Sequence, residues 1–144
     1  MGPAAGECAG LRPRQAMKRY DPARPPGAND WLALDESERL ELVLAYHRRA
    51  RIRVPKLRLH VALHILVENQ LAERLPEAER ALIRLMAEGL DRHSAIHAIG
   101  RVGLETFLDV REAWPLRLDM REPYPQRLET LTARDWLTSG NRDC

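Results

Sequence analysis

The segment from Leu57 to Leu75 is apolar on almost every side of a helical wheel, and it constrains the fold more than any other part of the chain. A helix of this kind must be covered by neighbours on all sides, so we expect it to be central and buried. The chain of 144 residues is long enough for one domain, and only 5% of it is aromatic, whereas leucine occurs 22 times. Such an aliphatic core suits packed helices, and the sequence predicts a compact, all-α domain resembling a four-helix bundle.

Start and stop signals place three further helices around this segment. Each has an acidic cap or a proline where a first turn needs one, and Gly89 is the expected left-handed stop of the third. In chain order the four predicted helices cover Asp35–Arg51, Leu57–Leu75, Pro76–Glu88 and Asp91–Arg111.

The two ends of the chain are predicted to lie outside this helical domain. Residues 1–28 lack periodicity and contain a proline-rich stretch, so they are expected to form a flexible or loosely docked N-terminal arm. Residues 29–112 are expected to form the helical domain itself. Residues 113–144 are expected to form an extended C-terminal arm, with a weakly amphipathic short helix from Pro125 to Leu137.

Four of the five histidines occur as pairs at helical spacing. On the second helix His60, His64 and Glu68 follow each other every four residues, and on the fourth helix His93 and His97 do the same. Residues four apart share one face of a helix, so each pair points in one direction. This is how helices present ligands to a metal ion.

The predicted helix lengths also place these residues at a common height in the bundle. If the helices run nearly parallel to one axis and rise about 1.5 Å per residue, His93 lies level with His64 and His97 with Glu68. His47, near the end of the first helix, then lies level with His60.

Four imidazoles in an apolar interior need either separate hydrogen-bond partners or one shared cation. A divalent metal satisfies all of them through neutral ring nitrogens, so we expect His60, His64, His93 and His97 to bind zinc, iron or manganese. Glu68 and His47 are candidate additional ligands. Residues expected to support the ligands through hydrogen bonds are Asn69, Gln70, Glu88 and Asp91.

Several functions remain compatible with this pattern. An open coordination position would allow small-ligand or hydrolytic chemistry, with Glu68 or His47 as general base, although no standard catalytic motif names a reaction. A closed metal site would be structural and belong to a non-enzymatic protein-interaction module. Such a module could also have a metal-free histidine core, in which an imidazole such as that of His47 bonds to a backbone carbonyl. The third alternative is binding of nucleic acid or of an acidic partner through the basic residues from Arg48 to Arg58.

The two histidine helices resemble those of bacterial proteins with the "domain of unknown function 1841". The resemblance covers residues 59–108, and it rests on the two H-x3-H pairs and on the Glu and Gln that follow the first. In the family pattern Glu directly precedes Gln, whereas Asn69 separates Glu68 from Gln70 here. The resemblance therefore extends to the four histidines and implies a short, helical, bacterial cytosolic protein, without naming a reaction.

Composition and charge limit the compartment and the partners. Cys8 and Cys144 lie near opposite ends, which favours a reducing, cytoplasmic setting, and no apolar run is long enough to cross a membrane. A net charge of +2 does not indicate a nucleic-acid-binding protein, and the basic run from Arg48 to Arg58 is interpreted first as a solvated connection. The terminal arms are candidate contacts for a protein partner, and a homodimer would be compatible with the same motifs.

Overall fold

The computed structural model describes residues 17–112 and 123–139, and within these ranges the protein is entirely α-helical. This confirms the predicted fold class. Seven helices follow one another in the described residues: α1 (Ala28–Ala33), α2 (Glu36–Arg49), α3 (Leu57–Ala72), α4 (Pro76–Ala87), α5 (Arg92–Glu112), α6 (Pro123–Thr130) and α7 (Ala133–Thr138). None of these helices combines the length and the apolarity that a bilayer crossing requires.

The ends of the main helices follow the signals in the sequence. The Asp35 side chain accepts a hydrogen bond from the backbone of Glu38, whose own carboxylate reaches back to the Asp35 amide, which forms a capping box before α2. Gly89 ends α4 with a φ of 107°, a backbone conformation that residues other than glycine rarely adopt. Asp91 caps α5 by accepting a hydrogen bond of 2.7 Å from the amide of Ser94.

Helix α3 occupies the centre of the fold, as its apolar circumference predicts. It packs against α1, α2, α4 and α5. One apolar cluster joins α3 to α4, α5 and the two C-terminal helices, and a second joins it to α1, α2 and the N-terminal segment. Because both clusters share α3, the domain is held together through this one helix.

The described parts of the two arms pack on this bundle. Tyr20 and Pro22 in the N-terminal segment are buried, and Trp31 of α1 is completely buried. The predicted helix from Pro125 to Leu137 is instead two helices, because Thr132 forms a capping box with Asp135 and starts α7 there. The rest of both arms, residues 1–16, 113–122 and 140–144, lies outside the described residues.

Two glycines allow α3 and α5 to approach closely. A Cβ atom on Gly100 would lie 3.0 Å from the Cβ of Leu63, and one on Gly103 would lie 2.9 Å from Cδ2 of Leu66. The Leu63 Cβ is fixed by the backbone of α3, whereas the end of the Leu66 side chain can rotate away. The close approach therefore depends more on Gly100 than on Gly103.

We expect Gly100→Ala to lower the free energy of unfolding by about 1–2 kcal/mol, because overpacking against Leu63 exceeds the gain in helix propensity. Gly103→Ala, the matched control on the same helix, should change stability by less than about 0.5 kcal/mol. Urea denaturation of both variants checks this. A Gly100→Ala variant as stable as the wild type would show that α3 and α5 can separate at no cost.

Candidate metal centre

Five histidine side chains meet where α2, α3 and α5 pack together. One comes from α2, two from α3 and two from α5, so the site joins three helices that are distant in sequence. The five are His47, His60, His64, His93 and His97. His47, His60 and His64 are buried, whereas His93 and His97 are partly exposed.

His64 lies at the centre of this histidine cluster. Its Nε2 atom is 3.2 Å from Nε2 of His60 and 3.2 Å from Nε2 of His93. The Nε2 atom of His97 is closer still, at 2.8 Å. Neighbouring nitrogens bound to one metal ion with bonds of about 2.0–2.1 Å lie about 2.9–3.4 Å apart, depending on coordination number. The three distances from the His64 Nε2 atom are therefore close to those between ligands of a single ion.

A tyrosine from the N-terminal segment sets the tautomer of His64. The Tyr20 hydroxyl lies 3.0 Å from Nδ1 of His64 and 2.9 Å from Oε1 of Glu68. A carboxylate only accepts, so the hydroxyl donates to Glu68 and its oxygen accepts from Nδ1–H of His64. The Nε2 atom of His64 is then unprotonated, and its lone pair faces the other three imidazoles.

Glu68 is paired with an arginine rather than with the ring nitrogens. Its two carboxylate oxygens accept hydrogen bonds of 2.8 Å each from the Arg92 guanidinium, which also donates to the Pro22 carbonyl. Glu68 is 1% and Arg92 6% exposed, so both charges are withdrawn from water and compensate each other. In this position Glu68 orients His64 through Tyr20, whereas the sequence suggested Glu68 as a ligand itself.

His47 approaches the cluster from α2. Its Nδ1–H donates to the Val43 carbonyl at 2.8 Å. This is the backbone hydrogen bond expected of His47 in a metal-free core. Its Nε2 atom is buried and has no hydrogen-bond partner among residues 17–112 and 123–139. Ligand atoms of His47, His60, His64 and His93 all lie within 4.8 Å of one another. His97 is not a member of that set, but its ring centroid lies 4.5 Å from that of His60, 4.8 Å from that of His64 and 4.4 Å from that of His93.

Aromatic side chains border the partly exposed side of the cluster. The edge of the Tyr46 ring meets His93 at a centroid distance of 5.9 Å, and Trp136 of α7 lies 6.2 Å from His97. These contacts limit how much water reaches the nitrogens without enclosing His93 or His97 completely.

The surroundings oppose protonation of the imidazoles. Burial, followed by the neighbouring histidines, lowers the pKa of His64 far below its usual value and that of His97 to about 2. Burial also lowers the pKa of His47 and His93. Neutral imidazoles with free lone pairs are the form that binds metal ions.

The predicted register of α5 against α3 is wrong in one respect. His93 lies beside His64 as expected, but Arg92 occupies the place beside Glu68, and His97 contacts His64 and His60 instead. A common height of these residues therefore cannot be read from the helix lengths alone.

The four side chains expected to support the ligands serve other purposes. Asn69 accepts from Trp31, Gln70 from the Tyr124 hydroxyl, and Glu88 from the amide of Ala133. Asp91 caps α5. Sequence reasoning missed Tyr20 and Arg92, which take the supporting positions. The only signal for Tyr20 was that it is one of three tyrosines.

The cationic side chains of the basic run from Arg48 to Arg58 face solvent. All six cationic side chains are exposed, and none forms an ion pair with an acid in the described part of the chain: Arg48, Arg49, Arg51, Arg53, Lys56 and Arg58. This agrees with the interpretation of a solvated connection.

Comparison with known proteins found no matching protein-family model, no similar curated protein and no similar solved structure. The resemblance to proteins with the "domain of unknown function 1841" therefore stays a prediction.

The lowered histidine pKa values predict that the metal-free protein loses stability in mild acid. Unfolded histidines take up protons near pH 6.5, whereas the folded ones with lowered pKa do not, so stability is complete above pH 6.5 and falls as the pH drops below it. The slope is at most about 1.4 kcal/mol per pH unit for each such histidine. Urea denaturation at pH 7.5, 6.0 and 5.0 measures it, in a range where carboxylates stay ionised. A flat profile would contradict the burial of neutral imidazoles.

Proposed function

We propose that this domain binds one divalent metal ion through the Nε2 atoms of His60, His64, His93 and His97. The observation that carries the proposal is the position of the His64 Nε2 atom. It is held unprotonated by the hydrogen bond at Nδ1, and three other Nε2 atoms lie 2.8–3.2 Å from it.

A metal-free histidine core explains this arrangement less well. The single lone pair of the His64 Nε2 atom is directed at one N–H donor at best, yet three ring nitrogens crowd around it. Protonating His64 would relieve this contact, but burial and the neighbouring imidazoles lower its pKa. A cation among the four nitrogens compensates all of their lone pairs at once.

The ligand set narrows the choice of metal. Neutral imidazoles suit zinc and iron, and manganese is the less favoured third candidate because it prefers oxygen ligands. Four nitrogens alone match the tetrahedral preference of zinc. We assign His47 as a fifth ligand where the ion accepts one, because its Nε2 atom is buried and lacks another partner among the described residues. Five nitrogens would favour iron.

Glu68 is assigned a supporting role. Both of its oxygens already accept hydrogen bonds from Arg92, and one of them also accepts from Tyr20. Ligand imidazoles in metal sites usually donate their second nitrogen to a carboxylate, a carbonyl or water. Here Tyr20 lies between the imidazole of His64 and the carboxylate, and transmits the negative charge of Glu68 to it.

Whether the ion takes part in chemistry depends on its access to solvent. His93 and His97 are partly exposed, which favours an exchangeable position on that side and small-ligand or hydrolytic chemistry. The second candidate is a structural ion, favoured by the way the site joins α2, α3 and α5 through the buried His47, His60 and His64.

Untagged protein purified without chelators should contain about one equivalent of zinc, iron or manganese per chain, measured by elemental analysis. The double variant His64→Ala, His97→Ala should lose it, because two of four ligands are gone. The single variant His97→Gln, at a partly exposed position, should bind at least about tenfold more weakly and remain helical by circular dichroism.

The matched control is Cys8→Ser with Cys144→Ser, which removes both thiols of the chain and should retain the metal. Protein that is metal-free as purified, and whose stability does not change when zinc, iron(II) or manganese(II) is added, would overturn the proposal. Chelation separates the two candidates: unfolding indicates a structural ion, whereas a folded chelated protein indicates an exchangeable one.

The role of Tyr20 can be tested separately from the ligands. Tyr20→Phe keeps the ring but removes the hydroxyl between His64 and Glu68, so metal affinity should fall about 10–100-fold. Tyr124→Phe is the matched control, because its hydroxyl bonds to Gln70 and contacts none of the histidines. Competition with a chromophoric chelator measures both affinities. Equal affinities of the two variants would show that the hydroxyl does not act on the site.

A further inference from the structure

A basic cavity lies beside the N-terminal segment, next to Tyr20 and Tyr46. Its volume is about 440 Å³, within the range of small-molecule sites. Three arginines line it, two from the N-terminal segment and one from the end of α2: Arg19, Arg24 and Arg49. The cavity is separate from the ring nitrogens of the histidine cluster, although Tyr20 and Tyr46 contact both.

Acidic side chains of the described residues do not neutralise the positive charge of this cavity. None of the three arginines forms an ion pair with an acid in the described ranges 17–112 and 123–139. Asp21 is the single acid of the lining, and its Oδ1 atom accepts a hydrogen bond from the Ala23 amide within a turn. Three guanidinium groups against one carboxylate leave the cavity with an excess of positive charge.

One of the arginines is held in place by the backbone. Arg49 donates from Nη2 to the Tyr20 carbonyl at 3.3 Å, which ties the end of α2 to the N-terminal segment. Its remaining N–H groups have no acceptor among the described side chains, and guanidinium groups bind phosphate and carboxylate oxygens in pairs.

The rest of the lining is apolar. Pro25, Pro26 and Met17 contribute aliphatic surface, and Tyr46 contributes an aromatic ring that meets the Tyr20 ring edge-on at 6.0 Å. Rigid prolines and an aromatic ring suit a flat or aromatic group. The cavity thus combines an apolar wall with arginines that form no ion pair within the described part of the chain.

We propose that this cavity binds a small organic anion that carries a phosphate or carboxylate group on a flat apolar body. The anionic group pairs with Arg24 and Arg49, and the body lies against Tyr46 and the two prolines. Binding itself does not require the metal site. Because Tyr20 lines the cavity and also bonds to His64, the ligand lies next to the histidine cluster.

Phenyl phosphate is the probe, and isothermal titration calorimetry of the full chain at low salt is the measurement. We expect saturable binding, weaker by about tenfold or more in Arg24→Gln with Arg49→Gln, since each substitution removes charge-assisted hydrogen bonds. Arg24→Gln alone, at an exposed side chain, should weaken binding severalfold. Arg48→Gln is the matched control, because Arg48 is exposed on α2 beside Arg49 but does not line the cavity. This variant should bind phenyl phosphate like the wild type.

Three further outcomes would overturn the proposal. One is no saturable binding below about 10 mM, where affinity falls to the level of nonspecific contact. Another is binding that requires added zinc and is unaffected by the arginine substitutions, which would assign the phosphate to the metal ion. The third is preferential binding of a single-stranded oligonucleotide, weakened equally by Arg48→Gln, which would assign the basic surface to nucleic acid. Metal content measured in the same samples keeps this result separate from the test of the metal site.

Discussion

The hydroxyl group of Tyr20 is the contact that joins the N-terminal segment to the histidine cluster. It donates to Glu68 and accepts from His64, and Glu68 in turn is paired with Arg92. This chain of hydrogen bonds connects the N-terminal segment, α3 and α5. Burial and then the charge of Glu68 raise the pKa of the hydroxyl, so it stays protonated and keeps its direction of donation. Removing any one member would leave a buried polar group without its partner, which costs more than the net worth of the bond.

The close contact between α3 and α5 links the apolar core to the histidine cluster. Gly100 lets the two helices approach each other at Leu63. Leu63 is one residue before His64, and Gly100 is three residues after His97. The distance between the helices therefore helps to set the distance between the paired imidazoles. His47 of α2 contacts the same cluster. The hydrogen bond from His47 Nδ1 to the Val43 carbonyl directs the His47 Nε2 atom to the cluster. Packing that is too loose for a metal ion would also be too loose for the apolar core, so the two are specified by the same residues.

Local sequence signals predicted the main helices, but they did not predict contacts between segments that are distant in sequence. Asp35, Gly89 and Asp91 act within a few residues, and each marks a helix end as expected. Histidines four residues apart identify a shared face in the same way. Tyr20, however, lies 44 residues from His64 in a segment without periodicity, and nothing local indicates that it docks. The separation of α6 from α7 did have a local signal, since Thr132 and Asp135 have capping-box spacing, but the weak amphipathic pattern continued across it.

Helix geometry explains why Glu68 differs from the histidines that share its spacing. Successive positions four apart rise about 6 Å and turn about 40° past a full circle, so Glu68 lies about 12 Å along α3 from His60 and about 80° around it. His60 and His64 can converge on one point because only one such step separates them. Glu68 would have to extend along the axis to reach the same point, and it instead faces the start of α5, where Arg92 lies. The displacement of Glu68 from His60, together with its pairing with Arg92, thus explains why the two histidines meet the other imidazoles and the carboxylate does not.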